Sequence, residues 1–194
     1  MSEATAGPWP LKERTGLPAE FGWLRDTFPR DRWTGIALPP VAAHWLQMHD
    51  GFRQAGAQMD HLVAARGSDA LDARGFHDRL LPTLATFLQH LDGHHSIETG
   101  HYFPLFRSLE PRIAAGVDLL DRDHDAVHAN LEILAARGNA FHHAVRAGRA
   151  ALSDHADRMA EALVAATPSL LRHLGDEEDI VIPLMARHAD AFES

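Results

Sequence analysis

Histidines and glutamates interrupt the apolar helical stripes of this chain, and this pattern limits what the chain can fold into. In the clearest stripe, residues follow one another at steps of three and four, which is the spacing of one helix face. Its members are Leu80, Leu84, Phe87, Leu91, His94, Glu98, His101 and Leu105. A buried polar group without a partner costs about 1–3 kcal/mol. A bound cation would remove that cost, so the stripe predicts a metal site inside a helical core.

Two further apolar stripes each contain a pair of ligand-type residues, His124 with His128 and His173 with Glu177. Residues four apart are neighbours on a helix face, so each pair offers two donors to one centre. One such pair is weak evidence, because the chain has 15 histidines. Three pairs in phase with three core stripes indicate a shared two-metal site much more strongly.

A fourth helix contributes His49, which has Trp45, Leu46 and Phe52 on its own face. A solitary histidine in an apolar stripe is more often a hydrogen-bonded core residue than a ligand. Because each of the other three helices supplies two donors, we expect His49 to be the donor from this one.

Composition narrows the choice of metal and of fold size. A chain of 194 residues with 45% hydrophobic content fits one domain with a tail. The absence of cysteine excludes disulfides, iron–sulfur clusters and thiolate zinc sites. Any metal must therefore be held by imidazole and oxygen, which favours iron, manganese, zinc or copper. Because an unperturbed imidazole is mostly neutral at pH 7, many of the histidines are expected to be available to bind it without losing a proton.

The charge pattern predicts no polyanionic partner. The formal net charge is −9, with acids and bases interspersed and no basic block, so we expect binding neither to nucleic acid nor to an anionic membrane. No run of about 18 apolar residues occurs, and Met1 to Lys12 lack the layout of a signal peptide. We expect a soluble, cytoplasmic protein that is a monomer or a small homo-oligomer.

The sequence divides into an N-terminal arm, residues 1–38, and a helical domain, residues 39–190. Repeated prolines and glycines make a long regular helix improbable in the arm. Trp9, Trp23 and Trp33 suggest that the arm packs, either over the domain or at an oligomer contact.

The rest of the chain predicts four long helices and no strand. They span about residues 40–66, 74–109, 111–147 and 153–189, with Gly67 and Pro111 as stop signals. Gly138 and Asn139 could disturb the third helix, and Pro168 should kink the fourth without ending it. Four helices with short connections predict an all-α, up-down-up-down antiparallel four-helix bundle.

The residues around two of the donor pairs extend the pattern. They form the stretches HHSIETGHYFPLF and HLGDEEDIVIPLM, in each of which histidine and acidic residues are followed by a proline. Over roughly residues 40–190, the chain resembles the hemerythrin-like, or HHE cation-binding, proteins, whose pattern is H…HxxxE…HxxxH… with HxxxE or HxxxxD at its end. The resemblance implies a non-haem di-iron centre with five imidazoles, two bridging carboxylates and an oxo or hydroxo bridge.

Carried over by position, the resemblance implies that one iron binds His124, His128 and His173, that the other binds His49 and His94, and that Glu98 is one bridge. The second bridge is an acid of the last helix. Glu177 lies about 40° round an ideal helix from His173, whereas Glu178 lies about 140° away. We therefore expect Glu177 to bridge, and Glu178 only if the helix is locally distorted.

For three residues near Glu98, the sequence leaves alternative roles open. His101 continues the inward stripe, which makes it an additional ligand, a distal hydrogen-bond donor beside the open iron, or an ordinary histidine near the bundle end. His95 lies at a different angle from His94 and is expected in an outer hydrogen-bonding position or at the surface. Tyr102 either bonds to a bridging carboxylate or packs with its hydroxyl at the surface.

These patterns favour a di-iron protein that binds O2, nitric oxide or peroxide at an open iron, as a carrier, store or sensor. A catalase- or peroxidase-like enzyme is the alternative, which His101 would favour as an acid–base group. Ferritin-like iron handling is less favoured, because such bundles typically use two Glu-x-x-His motifs and only Glu98 to His101 provides one.

Overall fold

The regular structure of this chain is helical in the computed structural model, which describes residues 9–33, 38–148 and 151–192. No strand occurs in those ranges, so the all-α prediction is confirmed for them. Nor does any helix of the described ranges have the length and apolar character needed to cross a membrane. The α-helices of these residues are α1 (Trp23–Thr27), α2 (Pro40–Gly67), α3 (Ala73–Ile97), α4 (Phe103–Leu109), α5 (Ala114–Arg146) and α6 (Leu152–Arg187).

The four predicted long helices occur close to their predicted bounds. The third and fourth correspond to α5 and α6, and neither Gly138 nor Pro168 ends its helix. A short 3-10 turn, Pro111–Ile113, precedes α5. The second predicted helix is not continuous, because a π-helical turn, Glu98–Tyr102, separates α3 from α4. The antiparallel up-down-up-down connectivity stays a prediction from the short connections.

The π turn changes which residues face the core after Glu98. A π turn holds one more residue than an α turn, so the residues that follow are rotated by about 100°. Phe103 and Phe106 are accordingly fully buried, whereas His101 is exposed. The inward direction predicted for His101 assumed an uninterrupted α-helix and is wrong for this reason.

The chain forms two compact units. Unit 1 comprises Met1–His49, Ile97–Ala126 and Ser169–Ser194, and unit 2 comprises Asp50–Ser96 and Val127–Pro168. Each of the four long helical stretches contributes residues to both units. The division into an arm, residues 1–38, and a domain, residues 39–190, stays a prediction.

The core of unit 1 includes residues of the N-terminal arm. Leu17, Phe21 and Leu24 are buried in the same apolar cluster as Phe106, and Trp23 and Trp33 pack against it. Within residues 9–33, the part of the arm that the structure describes, there is no long helix, only α1 and short 3-10 turns. The prediction that it packs is confirmed for residues 9–33. The other buried members of the cluster are Ala42, Trp45, Phe103, Ile113, Val117, Leu119, Leu120, Ile180, Val181, Ile182, Leu184 and Met185.

Unit 2 has an aromatic and aliphatic core of its own. Phe52 meets Phe87 edge to face with ring centroids 6.1 Å apart, and Phe76 lies 6.0 Å from Phe141. Edge-to-face contacts of this kind contribute beyond the apolar area they bury. The inward residues predicted before the π turn, Leu80, Leu84, Phe87 and Leu91, are all buried.

The buried arm yields the first prediction, which concerns Leu24. Leu24 is fully buried, so Leu24→Ala should lower the free energy of unfolding by about 2–5 kcal/mol. Leu171 is 44% exposed, and Leu171→Ala, as the matched control, should change it by no more than about 0.5 kcal/mol. Urea unfolding followed by circular dichroism measures both. Equal values for the two variants would contradict the packing of the arm.

Candidate metal centre

Two buried glutamates form the middle of the candidate site in unit 1. Glu98 is the first residue of the π turn and Glu177 lies on α6, and they are 1% and 0% exposed. Burial raises the pKa of Glu98 well above its ordinary value, and the charge of Glu177 and a hydrogen bond to it raise it further. The indole Nε1 of Trp45 donates a hydrogen bond of 2.7 Å to Glu177 Oε1. Two carboxylates in contact require a shared proton or a cation.

Three imidazoles surround this carboxylate pair. His173 Nε2 lies 3.1 Å from Glu177 Oε2, and His49 Nε2 lies 3.6 Å from Glu177 Oε1. His124 Nε2 lies 3.4 Å from Glu98 Oε2. All three histidines are at most 4% exposed. Their Nε2 atoms thus converge on the carboxylate oxygens of the two glutamates.

The other ring nitrogen of each imidazole faces an oxygen. His49 Nδ1 donates to Glu178 Oε1 over 3.1 Å, and His173 Nδ1 lies 3.7 Å from Asp123 Oδ2. His124 Nδ1 donates to the Thr99 hydroxyl over 3.0 Å, because that hydroxyl itself donates to a neighbouring aspartate. An outer acceptor on Nδ1 leaves Nε2 to act as a ligand, which is the usual arrangement around a metal-binding histidine.

These donors suit a metal ion. Within unit 1, the ligand atoms of His49, Glu98 and Glu177 lie within 4.8 Å of one another, and so do those of His124 and His173. The described residues thus provide two groups of donors that could hold metal ions. Neutral imidazoles with carboxylates and no thiolate match iron, manganese or zinc. The donor chemistry therefore fits the metal centre that the sequence predicts.

His173 carries a proton that a bound metal ion would replace. Burial by itself would lower the pKa of His173, but the carboxylates of Asp123 and Glu177 outweigh burial and raise it to about 9. In the metal-free chain, the proton on His173 therefore provides positive charge beside Glu177. A metal ion bound through Nε2 would displace that proton.

Two adjacent histidines lie at the end of α3 in unit 2, directly before the π turn. His95 is 1% exposed, so the surface position considered for it is wrong. His94 is half-buried, and its ring centroid lies 5.2 Å from Phe52 and 6.0 Å from His95. The helical period predicts an inward position for His94 and not for His95. Residues three and four before Glu98 both lie on its helix face, so the adjacent histidines at 95 and 94 were the signal that both could face inward.

His128 and His101, which the sequence predicts as ligands, belong to neither donor group. The side chain of His128 is 37% exposed and its Nδ1 lies 3.4 Å from Asp92 Oδ1, while its ring packs edge-on to His95 in unit 2. His101 is exposed, and its ring lies 4.9 Å from that of Tyr102. Ligand roles for His128 and His101 stay predictions, for which these positions provide no support.

Glu177 and Glu178, the two candidates for the second bridging carboxylate, point in different directions in unit 1. Glu177 points at Glu98, whereas Glu178 points at the outer Nδ1 of His49. This is the difference in angle that an undistorted α6 produces for consecutive residues.

Tyr102 packs edge-on to Trp45, with ring centroids 5.0 Å apart, and is half-buried.

Residues 41–163 match the family model described as the hemerythrin HHE cation binding domain. The match covers more than half of the 194 residues and includes His49, Glu98 and His124. It leaves out the N-terminal arm, His173 and Glu177. No curated protein and no solved structure is significantly similar to the chain.

The raised pKa of His173 predicts how the stability of the metal-free protein depends on pH. A raised folded-state pKa gives stability that is complete below the unfolded value, 6.5, and is lost as pH rises through about 9. The raised pKa of Glu98 acts in the same direction. We expect the free energy of unfolding to fall by about 3 kcal/mol between pH 6.5 and 9.

Urea unfolding in the presence of a chelator, at pH 6.5 and at pH 9, measures this difference. His173→Gln is the control and should show a much smaller dependence. A metal-free wild type that is equally stable at both pH values would contradict the charge assigned to His173.

Proposed function

This chain belongs to the hemerythrin HHE cation-binding domain family, and on that premise we propose that it is a non-haem di-iron protein that binds O2 or a related small ligand. Domains of this family bind metal cations, typically iron. The observation that carries the proposal is the buried pair of Glu98 and Glu177, surrounded by imidazole nitrogens. Two carboxylates in contact need a shared proton or positive charge beside them, and a pair of metal ions would supply that charge.

We assign seven protein ligands to the two irons. His49, with His94 four residues before Glu98, would bind one, and His124 and His173, with the buried His95, the other. Glu98 and Glu177 would bridge them with an oxo or hydroxo group. This set retains the five imidazoles that the resemblance implies, but it uses His95 in place of His128. The 1% exposure of His95 against the 37% side-chain exposure of His128 supports the exchange.

The bound iron pair would supply an open coordination position and redox chemistry for O2, nitric oxide or peroxide. The chain's own residues keep the surroundings of the site dry. Phe103 stacks on His124 with ring centroids 5.1 Å apart, and Phe106 lies 6.0 Å from Trp45. Since such a wall excludes water and hinders the entry of protons, it favours reversible binding over turnover. The Trp45 N–H holds Glu177 in place.

Binding is favoured over catalysis because of His101. A catalase- or peroxidase-like enzyme would need an acid–base group near the open position, and the sequence offered His101 for that role. The exposed ring of His101 removes this support. It also removes the histidine of the Glu98-x-x-His101 motif that ferritin-like iron handling would use. We therefore propose a carrier, store or sensor, located in the cytoplasm.

The exchange of His95 for His128 gives a direct test of the ligand set. His95→Ala should lower the iron content of the purified protein to no more than about half of the wild-type value, because it removes one ligand and leaves a buried gap. His128→Ala is the matched control and should keep the wild-type content. Iron analysis after purification from iron-replete cells measures both. Full iron in His95→Ala and lost iron in His128→Ala would restore the original prediction.

Ligand binding is tested on the same iron-loaded protein. Reduced protein exposed to O2 should develop charge-transfer bands that disappear when O2 is removed, and added hydrogen peroxide should release little gas. Optical spectroscopy and an oxygen electrode measure the two. Rapid gas evolution would favour the enzyme instead. A wild type that retains no iron would contradict the di-iron proposal altogether.

A further inference from the structure

The N-terminal arm places a buried arginine against the outer side of the candidate site. The Arg14 side chain is 3% exposed and holds Asp123 with two parallel hydrogen bonds, from Nη1 to Oδ1 over 2.9 Å and from Nη2 to Oδ2. Its Nε also donates to Asp176 Oδ2 over 3.1 Å. Asp123 Oδ2 is the oxygen that lies 3.7 Å from His173 Nδ1. A guanidinium, a carboxylate and a candidate ligand thus follow one another.

A second arginine of the arm repeats this arrangement at another histidine. Arg30 Nη1 donates to Glu178 Oε2 over 2.7 Å, and Glu178 Oε1 accepts from His49 Nδ1 over 3.1 Å. The same guanidinium donates to Asp179 Oδ1 and to the Gly175 carbonyl, each over 2.7 Å. All of these residues belong to unit 1. Each of these two series runs from an arginine through a carboxylate to a histidine. We assign the two histidines, His173 and His49, to different irons.

The arm supplies positive charge to the buried acids of these two series. Asp123, Asp176 and Glu178 are at most 3% exposed. A carboxylate buried to this degree is strongly destabilising without a cationic or hydrogen-bonding partner. Arg14 and Arg30 lie outside residues 41–163, the range that matches the family model. The arm therefore adds charges to the site that the matched domain does not contain.

We propose that Arg14 and Arg30 are positioning residues of the metal centre, each fixing the carboxylate that orients one ligand histidine, His173 or His49. This inference rests on the proposed di-iron function. The fork of Arg14 on Asp123 leaves that carboxylate little freedom to rotate, so His173 Nε2 stays directed at Glu177. Arg30 fixes Glu178 and with it His49.

The position of the arm and metal retention are therefore coupled. Outer partners of metal-binding histidines typically change metal affinity by about 10–100-fold when they are removed. Because coupling between two sites is reciprocal, bound metal should also hold the arm more firmly in place. The two arginines also offset negative charge beside the irons, so their loss should favour the oxidised state of the metal.

The test measures iron release from the full-length, iron-loaded protein into a chelator. Arg14→Gln and Arg30→Gln should each release iron about 10–100-fold faster than the wild type. Arg25→Gln is the matched control. Arg25 also joins the arm to α6, through Asp179 at 3.5 Å, but its ion-pair partners are Asp26 and Asp179, and neither is an acid that we place against a ligand histidine. It should release iron at the wild-type rate.

Mössbauer spectra of the iron-57 protein separate positioning from a general loss of stability. Arg14→Gln should alter the quadrupole doublet of one iron, and Arg30→Gln that of the other, while Arg25→Gln alters neither. Arg30→Lys should restore part of the slow release. If Arg14→Gln does not fold, Arg30→Gln carries the test, because the Arg30 side chain is 45% exposed and its replacement is better tolerated.

The outcomes distinguish this inference from the function on which it rests. A wild type with two irons, together with wild-type release and spectra in both Gln variants, would overturn the inference and leave the proposed function standing. Faster release in Arg25→Gln equal to that in Arg14→Gln and Arg30→Gln would also overturn it, because arm docking alone would then account for retention. A wild type without iron would overturn both.

Discussion

The contact between Glu98 and Glu177 is the interaction on which the rest of unit 1 depends. Burial raises the pKa of Glu98, and the charge of Glu177 raises it further, because two buried carboxylates repel each other. A packed apolar core alone would separate them. Here the imidazoles of His49, His124 and His173 surround the pair and supply nitrogen donors to the same small volume. The arrangement is costly as a metal-free core and favourable as a metal centre, which is why it indicates function.

Charges alternate outward from this pair within unit 1. Imidazoles surround the inner glutamates, the outer acids Asp123 and Glu178 face the imidazoles, and arm arginines neutralise those acids. Each layer makes the next one tolerable, because every buried charge has a partner of opposite sign or a hydrogen bond. The layers come from sequence segments far apart, so the site is a property of the folded unit rather than of any motif. The arm is thus part of the site's construction as well as of its core.

The one extra residue of the π turn changes which side chains lie next to the candidate site, and this affects the function that we propose. Glu98 begins that turn, and the extra residue rotates everything after it. An uninterrupted helix would direct His101 inward, and the structure directs Phe103 inward instead. The result is an apolar wall where an acid–base group was considered. Binding and catalysis in a di-iron site differ in such groups, and the choice between them depends here on local helix geometry.

The sequence by itself determined the helices, their apolar faces and the types of donor, because these depend on a local period of 3.6 residues and on residue chemistry. From that period, the residue types and the family resemblance, it identified eight candidate ligands, with Glu177 preferred over Glu178: His49, His94, Glu98, His101, His124, His128, His173 and Glu177. The tertiary structure decided what the period does not encode: the phase after Glu98, the burial of His95, the exposure of His128 and the partners of Arg14 and Arg30. Arg14 and Asp176 are 162 residues apart. A helical period cannot predict contacts between residues this far apart in sequence, since only the packing of distant segments brings such residues together.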